Sequence, residues 1–453
     1  MIINFNERNK NRKDLFLFFF YMDKDRYYYR YKTNLVFVST INDETIDLTE
    51  YYPEVSVINY YNSSVFPIIR IDLVLNVKMM ERFQNEIDSL KILLNIDKYK
   101  IDQKDIDLVN KINLPSSKFV KYVELKIFNI DRVKMPPVDE ENPQSNIPKF
   151  KITLYTFVYK HLEINKLPLA LTLNNSTILD AIMALCTKHG VDSLLISPPE
   201  NTKSYSQILI PPLNFTNSMY YLQEVYGIYK HGLNLFFDFN YSYILRKDFL
   251  DKLPQIDLEP YDYEKVIFDI YPYNMETRFV NNNSTYIDND NKSISILCKN
   301  NFSFNNSEIT MKEAGEVFKL VSNGPQDESY NHHEILDNFE SLSNPGNIVK
   351  TNETPKEIIK WKKYNNDFTI TELQFKLKEL MFNVSSILVD QDVEVYVPNK
   401  RFELIFKDDP NIKKYNGTYR LNNFIYKFKG TSKDFQSLIC NLGFSKIFPE
   451  YVK

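Results

Sequence analysis

The chain has 453 residues, more than one ordinary core accommodates, so about two to four domains are expected. Its net charge of -4 offers no electrostatic grip on nucleic acid, and nine glycines leave little material for Gly-rich phosphate loops. Three cysteines, Cys186, Cys298 and Cys440, stand too far apart for a disulfide framework or CxxC metal spacing, and read as small buried hydrophobes.

Residues 15–21 are strongly apolar but much shorter than the roughly 20 residues of a membrane span. Arg8, Lys10, Arg12 and Lys13 precede them, yet Met22-Asp23-Lys24-Asp25 follows with no small-residue cleavage site. A buried strand is therefore expected rather than a signal peptide, in a protein made in a cytoplasm with no stable membrane insertion. Further strands are expected over 27–32, 34–40 and 66–75. In the last of these Ile69, Ile71, Leu73 and Leu75 alternate with Arg70 and Asp72. Met80, Phe83, Ile87, Leu90 and Leu94 fall on one face of a helix over 79–94, and 95–116 reads as a polar excursion. Strands over 122–127 and 150–155 flank an acidic, proline-bearing linker at 136–148. Residues 1–165 thus read as an antiparallel barrel or sandwich with one helix packed on it.

Residues 166–260 read as a small α/β domain. Ile178, Ala181, Ile182 and Leu185 follow helical spacing over 177–189, Thr177 and Asp180 have capping-box spacing, and Gly190 sits where a helix stops. The run 194–197 is a strand stopped by Pro198-Pro199, and Ile208-Leu209-Ile210-Pro211-Pro212 repeats that design. A second helix is expected over 217–226. A hairpin follows, with strands over 233–238 and 242–245.

After Pro254 strands return. They are expected over 265–271, 278–280, 284–287 and 293–298, the last two joined by the turn Asp288-Asn289-Asp290-Asn291. Later strands are expected over 393–397, 402–406, 417–421 and 424–428. Between these groups, 322–367 carries Gly324-Pro325, Asn344-Pro345-Gly346 and Thr354-Pro355 with few apolar residues, so it cannot build a core of its own. Ile335-Leu336 with Phe339, and Ile358-Ile359 with Trp361, give it two apolar anchors, and an extended arm is expected.

Candidate chemistry is sparse. Asp288 and Asp290 suggest a calcium loop, but Ser293 and Lys299 stand where an EF-hand needs Gly and Glu. His332 and His333, beside Glu334, are adjacent and so do not share a helix face. His161, His189 and His231 are scattered singly, and His189 at a helix C-terminus has a place for positive charge. Glu372 and Glu379 lie on a predicted helix and could pair as glycosidase carboxylates, without a second supporting feature. Trp361 could stack on a sugar or pack a short helix. No catalytic, cofactor or metal residue is assigned, and the chain is expected not to be an enzyme.

One resemblance rests on order and spacing in the middle domain. Leu179-Asp180-Ala181-Ile182, Ile208-Leu209-Ile210-Pro211-Pro212, Tyr226-Gly227-Ile228-Tyr229 and Phe237-Asp238-Phe239 occur in an order that resembles the baseplate hub proteins of contractile-tail bacteriophages. The resemblance covers this segment and reaches the flanks at fold level only. It does not cover 322–367. It implies an α+β, mainly β fold, with two tail-tube-like antiparallel β-barrels flanking the α/β domain. The first barrel would span 1–165. The second would span 261–321 and 372–453, split by the arm at 322–371. It also implies a homotrimer in the virion that joins the six-fold tail tube protein to the three-fold central spike protein. Other baseplate proteins would surround it, and DNA would meet it only in transit through the channel. The alternatives are a tail-tip cell-wall hydrolase or glycan-binding protein, or the equivalent adaptor of a non-contractile tail or injection particle. Relatives bearing a hydrolase append a catalytic domain, whereas this sequence runs only to Lys453.

Overall fold

The computed structural model describes residues 27–39, 45–48, 53–61, 64–86, 90–102, 116–134, 149–247, 392–396, 401–406, 413, 415–430 and 435–446, together with the backbone of short strands between 265 and 389. The N-terminal part holds β1 (Tyr27–Ser39), β2 (Thr45–Asp47), β3 (Glu54–Tyr60), β4 (Ile68–Asn76), α1 (Val77–Glu86), β5 (Leu90–Asp102), β6 (Ser116–Lys134) and β7 (Lys149–Val158). The middle unit holds α2 (Tyr159–Lys166), β8 (Leu169–Thr177), α3 (Ile178–His189), β9 (Leu194–Ile196), β10 (Ser204–Leu213), α4 (Phe215–Val225), β11 (Leu233–Phe237) and β12 (Ser242–Arg246). Then come β13 (Lys265–Tyr271), β14 (Ser284–Asp288), β15 (Ser293–Lys299), β16 (Phe302–Asn306), β17 (Glu308–Glu313), β18 (Glu316–Val321), β19 (Ile348–Lys350) and β20 (Ile358–Ile359). The chain finishes with β21 (Leu380–Val389), β22 (Arg401–Phe406), β23 (Gly417–Lys429) and β24 (Ser437–Lys446).

The fold is mainly β, as expected, but the strands before and after the middle unit share one 15-stranded sheet. Its path runs β14-β15-β13-β22-β23-β3-β4-β7-β6-β5-β1-β2, with β24 beside β23 and β21, and β16 beside β21. The join is the antiparallel ladder of β3 with β23, in which Ile58 faces Ile425. A second tie returns from β1 to the start of β24. Tyr31 N–H donates to the Gln436 carbonyl at 2.9 Å, and Gln436 N–H donates back to Tyr31 at 2.7 Å. Among the described residues this single bridge is the link between β1 and the start of β24, and no longer ladder joins the two strands.

Several elements differ from expectation for identifiable reasons. The two strands expected at 27–32 and 34–40 are the single strand β1. Asn34 pairs opposite Asn95, and buried Thr33 donates its hydroxyl to Gln436 Oε1 at 3.0 Å, so neither polar residue breaks the run. The helix expected over 79–94 stops at Glu86, and Leu90, Ile92, Leu94 and Ile96 instead alternate inward on β5. A spacing of four satisfies both periods, which is why Leu90 and Leu94 misled. Of the polar excursion expected over 95–116, residues 95–102 belong instead to β5, and 103–115 lie outside the described residues.

The strand expected at 393–397 is a 3-10 turn over Val393–Val395, because the Asp392 carboxylate accepts the Glu394 N–H at 3.2 Å. The strands expected at 417–421 and 424–428 are one strand, β23, with a bulge between Leu421 and Asn423. Asn422 and Asn423 do not turn the chain: the Asn422 carbonyl accepts Tyr61 N–H at 2.8 Å, and glycine at 443 leaves room for the Asn423 side chain. The closing hairpin is therefore β23 with β24. The arm region 322–371 contributes two described strands. β19 pairs with β18 and β20 with β17, in a four-stranded sheet. The segments expected at 15–21, 136–148 and 278–280 lie outside the described residues.

The middle unit follows its sequence closely. α3 begins with a capping box. Asp180 N–H donates to Thr177 Oγ1 at 3.3 Å and Thr177 N–H to Asp180 Oδ2 at 2.8 Å. It ends at Gly190, whose φ of 73° is the left-handed conformation that glycine adopts without strain. α4 starts at Phe215, slightly before the expected 217, because Asn214 Oδ1 accepts Asn217 N–H at 2.9 Å. No helix among the described residues is long and apolar enough to cross a membrane. Thr177→Ala is expected to cost about 1 kcal/mol. Amide exchange should show the loss first in the opening turn of α3.

Candidate functional site: a buried ionic joint

The β11–β12 hairpin is buried on both faces, which explains why apolar residues dominate it, with Asn234 and Ser242 also buried. Phe236, Tyr243 and Leu245 join the core of the large sheet, while Leu235, Phe237 and Ile244 join the core around α3 and α4. Phe236 stacks on Tyr243 at 4.4 Å between ring centroids and meets Tyr61 edge-on at 4.7 Å. Phe237 N–H donates to the Val65 carbonyl at 2.8 Å, which fastens the hairpin to the β3–β4 connection.

Polar groups collect where this hairpin meets the sheet. Asp238 accepts Tyr243 Oη–H at 2.6 Å and the N–H groups of Asn240 and Tyr241, both at 2.7 Å. Lys98, on β5, places Nζ 2.6 Å from Asp392 Oδ2 and 2.5 Å from Glu394 Oε2. The turn that carries both carboxylates is held by fully buried Tyr31, whose Oη accepts Val393 N–H at 2.9 Å. The joint therefore ties the N-terminal strands to a turn 294 residues further on.

Its electrostatics follow from burial. Burial, then the neighbouring Asp392, pushes the Glu394 carboxyl above its ordinary pKa despite Lys98. Burial likewise raises Asp238, against the three hydrogen bonds that favour its charged form. For Lys98 burial opposes the charge, yet the two carboxylates outweigh it and hold the amine above its ordinary value. One cation between two carboxylates offers a strong clamp and no nucleophile beside a base. Among the described residues no cluster of His, Cys, Asp or Glu could hold a metal ion.

Of the residues weighed from sequence, Cys186 and Cys440 are free thiols, buried as expected. His161 is buried, stacked on Phe66 at 5.6 Å between ring centroids, and burial lowers its pKa to about 4. His189 ends α3, as expected. Its Nδ1 contacts the Ile164 carbonyl at 2.9 Å, and burial lowers its pKa, so the neutral ring is favoured. His231 lies half-buried just before β11. Asp288 ends β14. Asp290, His332, His333, Glu334, Trp361, Glu372 and Glu379 lie outside the described residues, as does the side chain of Cys298. Sequence reasoning missed the joint, because nothing local connects Lys98 with Asp392 and Glu394.

Lys98→Ala is expected to destabilise the fold by about 3 kcal/mol, since it leaves two carboxylates facing each other without a cation. Lys98→Met tests whether packing of the stem alone suffices. The pH dependence has two opposing parts. Glu394 and Asp238 bind protons more tightly when folded, so their stabilisation is full below the ordinary carboxylate pKa and is lost as pH rises through their folded values. His161 binds its proton less tightly when folded, so its contribution is present above the ordinary imidazole pKa and is lost as pH falls towards about 4. Thermal unfolding across this range should show a smaller gain on acidification in Glu394→Gln, and a smaller loss over the same window in His161→Gln.

A search of solved structures returns tail proteins at low identity. The 43 kDa tail protein of prophage MuSo2 from Shewanella oneidensis is 9% identical, with a TM-score of 0.44 over 92% of this chain and 97% of that one. A tail protein from Neisseria meningitidis MC58 is 8% identical, with a TM-score of 0.41 over 91% and 96%. A prophage tail protein from Listeria monocytogenes EGD-e is 10% identical, with a TM-score of 0.36 over 90% and 94%. No curated protein matches the chain. The family model described as "Bacteriophage PBS1 gene 109 protein" matches residues 27–442. The phage resemblance read from the middle unit thus holds, and the chain belongs to the bacteriophage PBS1 gene 109 protein family.

Proposed function

We propose that the chain is a structural, non-catalytic protein of a phage tail baseplate, and specifically a homotrimeric hub between tail tube and central spike. The observation that carries this reading is membership of a phage family over nearly the whole chain. The sheet architecture suits it: two strand-rich regions on either side of a small α/β unit are joined edge to edge. If each region supplies one tube-like barrel, three subunits present six barrels to a six-fold tube and keep a three-fold end for the spike. On this reading the protein resides in the virion of a contractile-tail phage, after assembly in the host cytoplasm. Its partners are the tail tube protein, the spike protein and other baseplate proteins, and DNA passes through during ejection without being held. The arm at 322–371 reaches a neighbouring protein from its footing on β17 and β18.

Native mass spectrometry of the purified chain is expected to give a trimer. A monomer that degrades cell-wall material would overturn the hub in favour of a tail-tip enzyme. Deleting residues 331–347, which spares β19, is expected to leave the trimer intact and to stop tail assembly. Normal assembly would remove the arm from the proposal.

A further inference from the structure

The two strands β8 and β10 form a separate two-stranded sheet, and their outer edges differ. On β10 the edge is closed to pairing. Tyr226 Oη accepts Leu209 N–H at 3.1 Å, and Pro211 and Pro212 bring no N–H. Since Leu209 directs its backbone away from β8, its pair with Thr172 lacks ladder hydrogen bonds, and Thr172 directs its own N–H and C=O away from β10. By alternation Ala170 and Asn174 do the same. The Asn174 carbonyl already accepts Ser176 Oγ–H at 3.0 Å, and a φ of 49° at Asn175 ends the flat stretch.

Among the described residues no strand pairs with this side of β8. From Leu169 to Thr177 the strand holds no charge and no proline, the usual guards of an exposed edge. Beneath it, α3 packs under β8 while α4 packs under β10. α3 leaves Leu179 and Met183, one turn apart, 42% and 46% exposed. A strand added to β8 would extend the sheet past α3, and its inward side chains would come down beside these two apolar residues.

We propose that the β8 edge is a strand-addition site for an extended segment of another protein, uncharged and with apolar residues at alternate positions. Backbone pairing supplies the affinity and the α3 flank selects the alternation. The absence of charge on β8 and the apolar α3 flank together disfavour a charged partner.

The test uses the purified full chain and a synthetic ten-residue peptide of alternating valine and threonine bearing a dye. Fluorescence anisotropy should register binding, and amide exchange at Ala170 and Thr172 should slow about tenfold in the complex. Thr172→Lys should abolish binding, and Met183→Glu should weaken it. Ala170→Lys is the second edge variant should Thr172→Lys disturb folding, which amide protection of α3 reports. Absence of binding, or binding with unchanged exchange at 170–174, would overturn the site. Protection of these amides by self-association without peptide would overturn the assigned partner and make a second copy the occupant.

Discussion

The ladder between β3 and β23 is the constraint on which the structure rests. It sets residues 56–60 against 423–427, so strands from the two ends of the chain become neighbours in one sheet. Without it β3 and β23 would each lose a pairing partner and expose an apolar face. Val55, Val57, Phe424, Tyr426 and Phe428 all belong to the same core. Burial of that shared face is what makes the two regions interdependent.

The middle unit is held by a different device. A two-stranded hairpin is marginal in water, and β11–β12 persists because β9 adds a third strand beside β12 and separate cores cover both faces. Where the hairpin meets the sheet, aromatic rings supply most of the contact, and Asp238, Lys98, Asp392 and Glu394 supply the polar part. Buried ion pairs add little net stability over apolar residues of the same shape, and their weight is felt when one member is taken away. The ion pair thus ties β5 to the turn after β21, while Asp238 braces the turn of the hairpin beside it.

Legibility in the sequence followed locality. The capping box of α3, Gly190 as its stop, and the 233–245 hairpin are written in neighbouring residues, and the structure repeats them. Leu90 and Leu94 misled because their spacing suits two periods. Breaks are expected at Thr33 and at Asn422-Asn423, but partners hundreds of residues away meet the chain there inside strands: Gln436 accepts the Thr33 hydroxyl, and Tyr61 N–H donates to the Asn422 carbonyl. The strands β8 and β24 passed unnoticed, β8 because its leucines share the run with Asn and Thr. Sharing of one sheet by the two flanking regions was not legible either, since strand partners carry no local mark.

The separation of 365 residues between Asn59 and Phe424, hydrogen-bonded across the β3–β23 ladder, also sets a clock. A ribosome adding about 5–20 residues per second needs roughly 20–70 s to travel that distance. During that interval the N-terminal strands exist with β3 unpaired on one side, an open apolar edge in a crowded solution. Sheets built on such distant pairings also fold slowly once the chain is complete. Slower elongation is therefore expected to lengthen the exposure of nascent β3, whatever the final stability of the sheet.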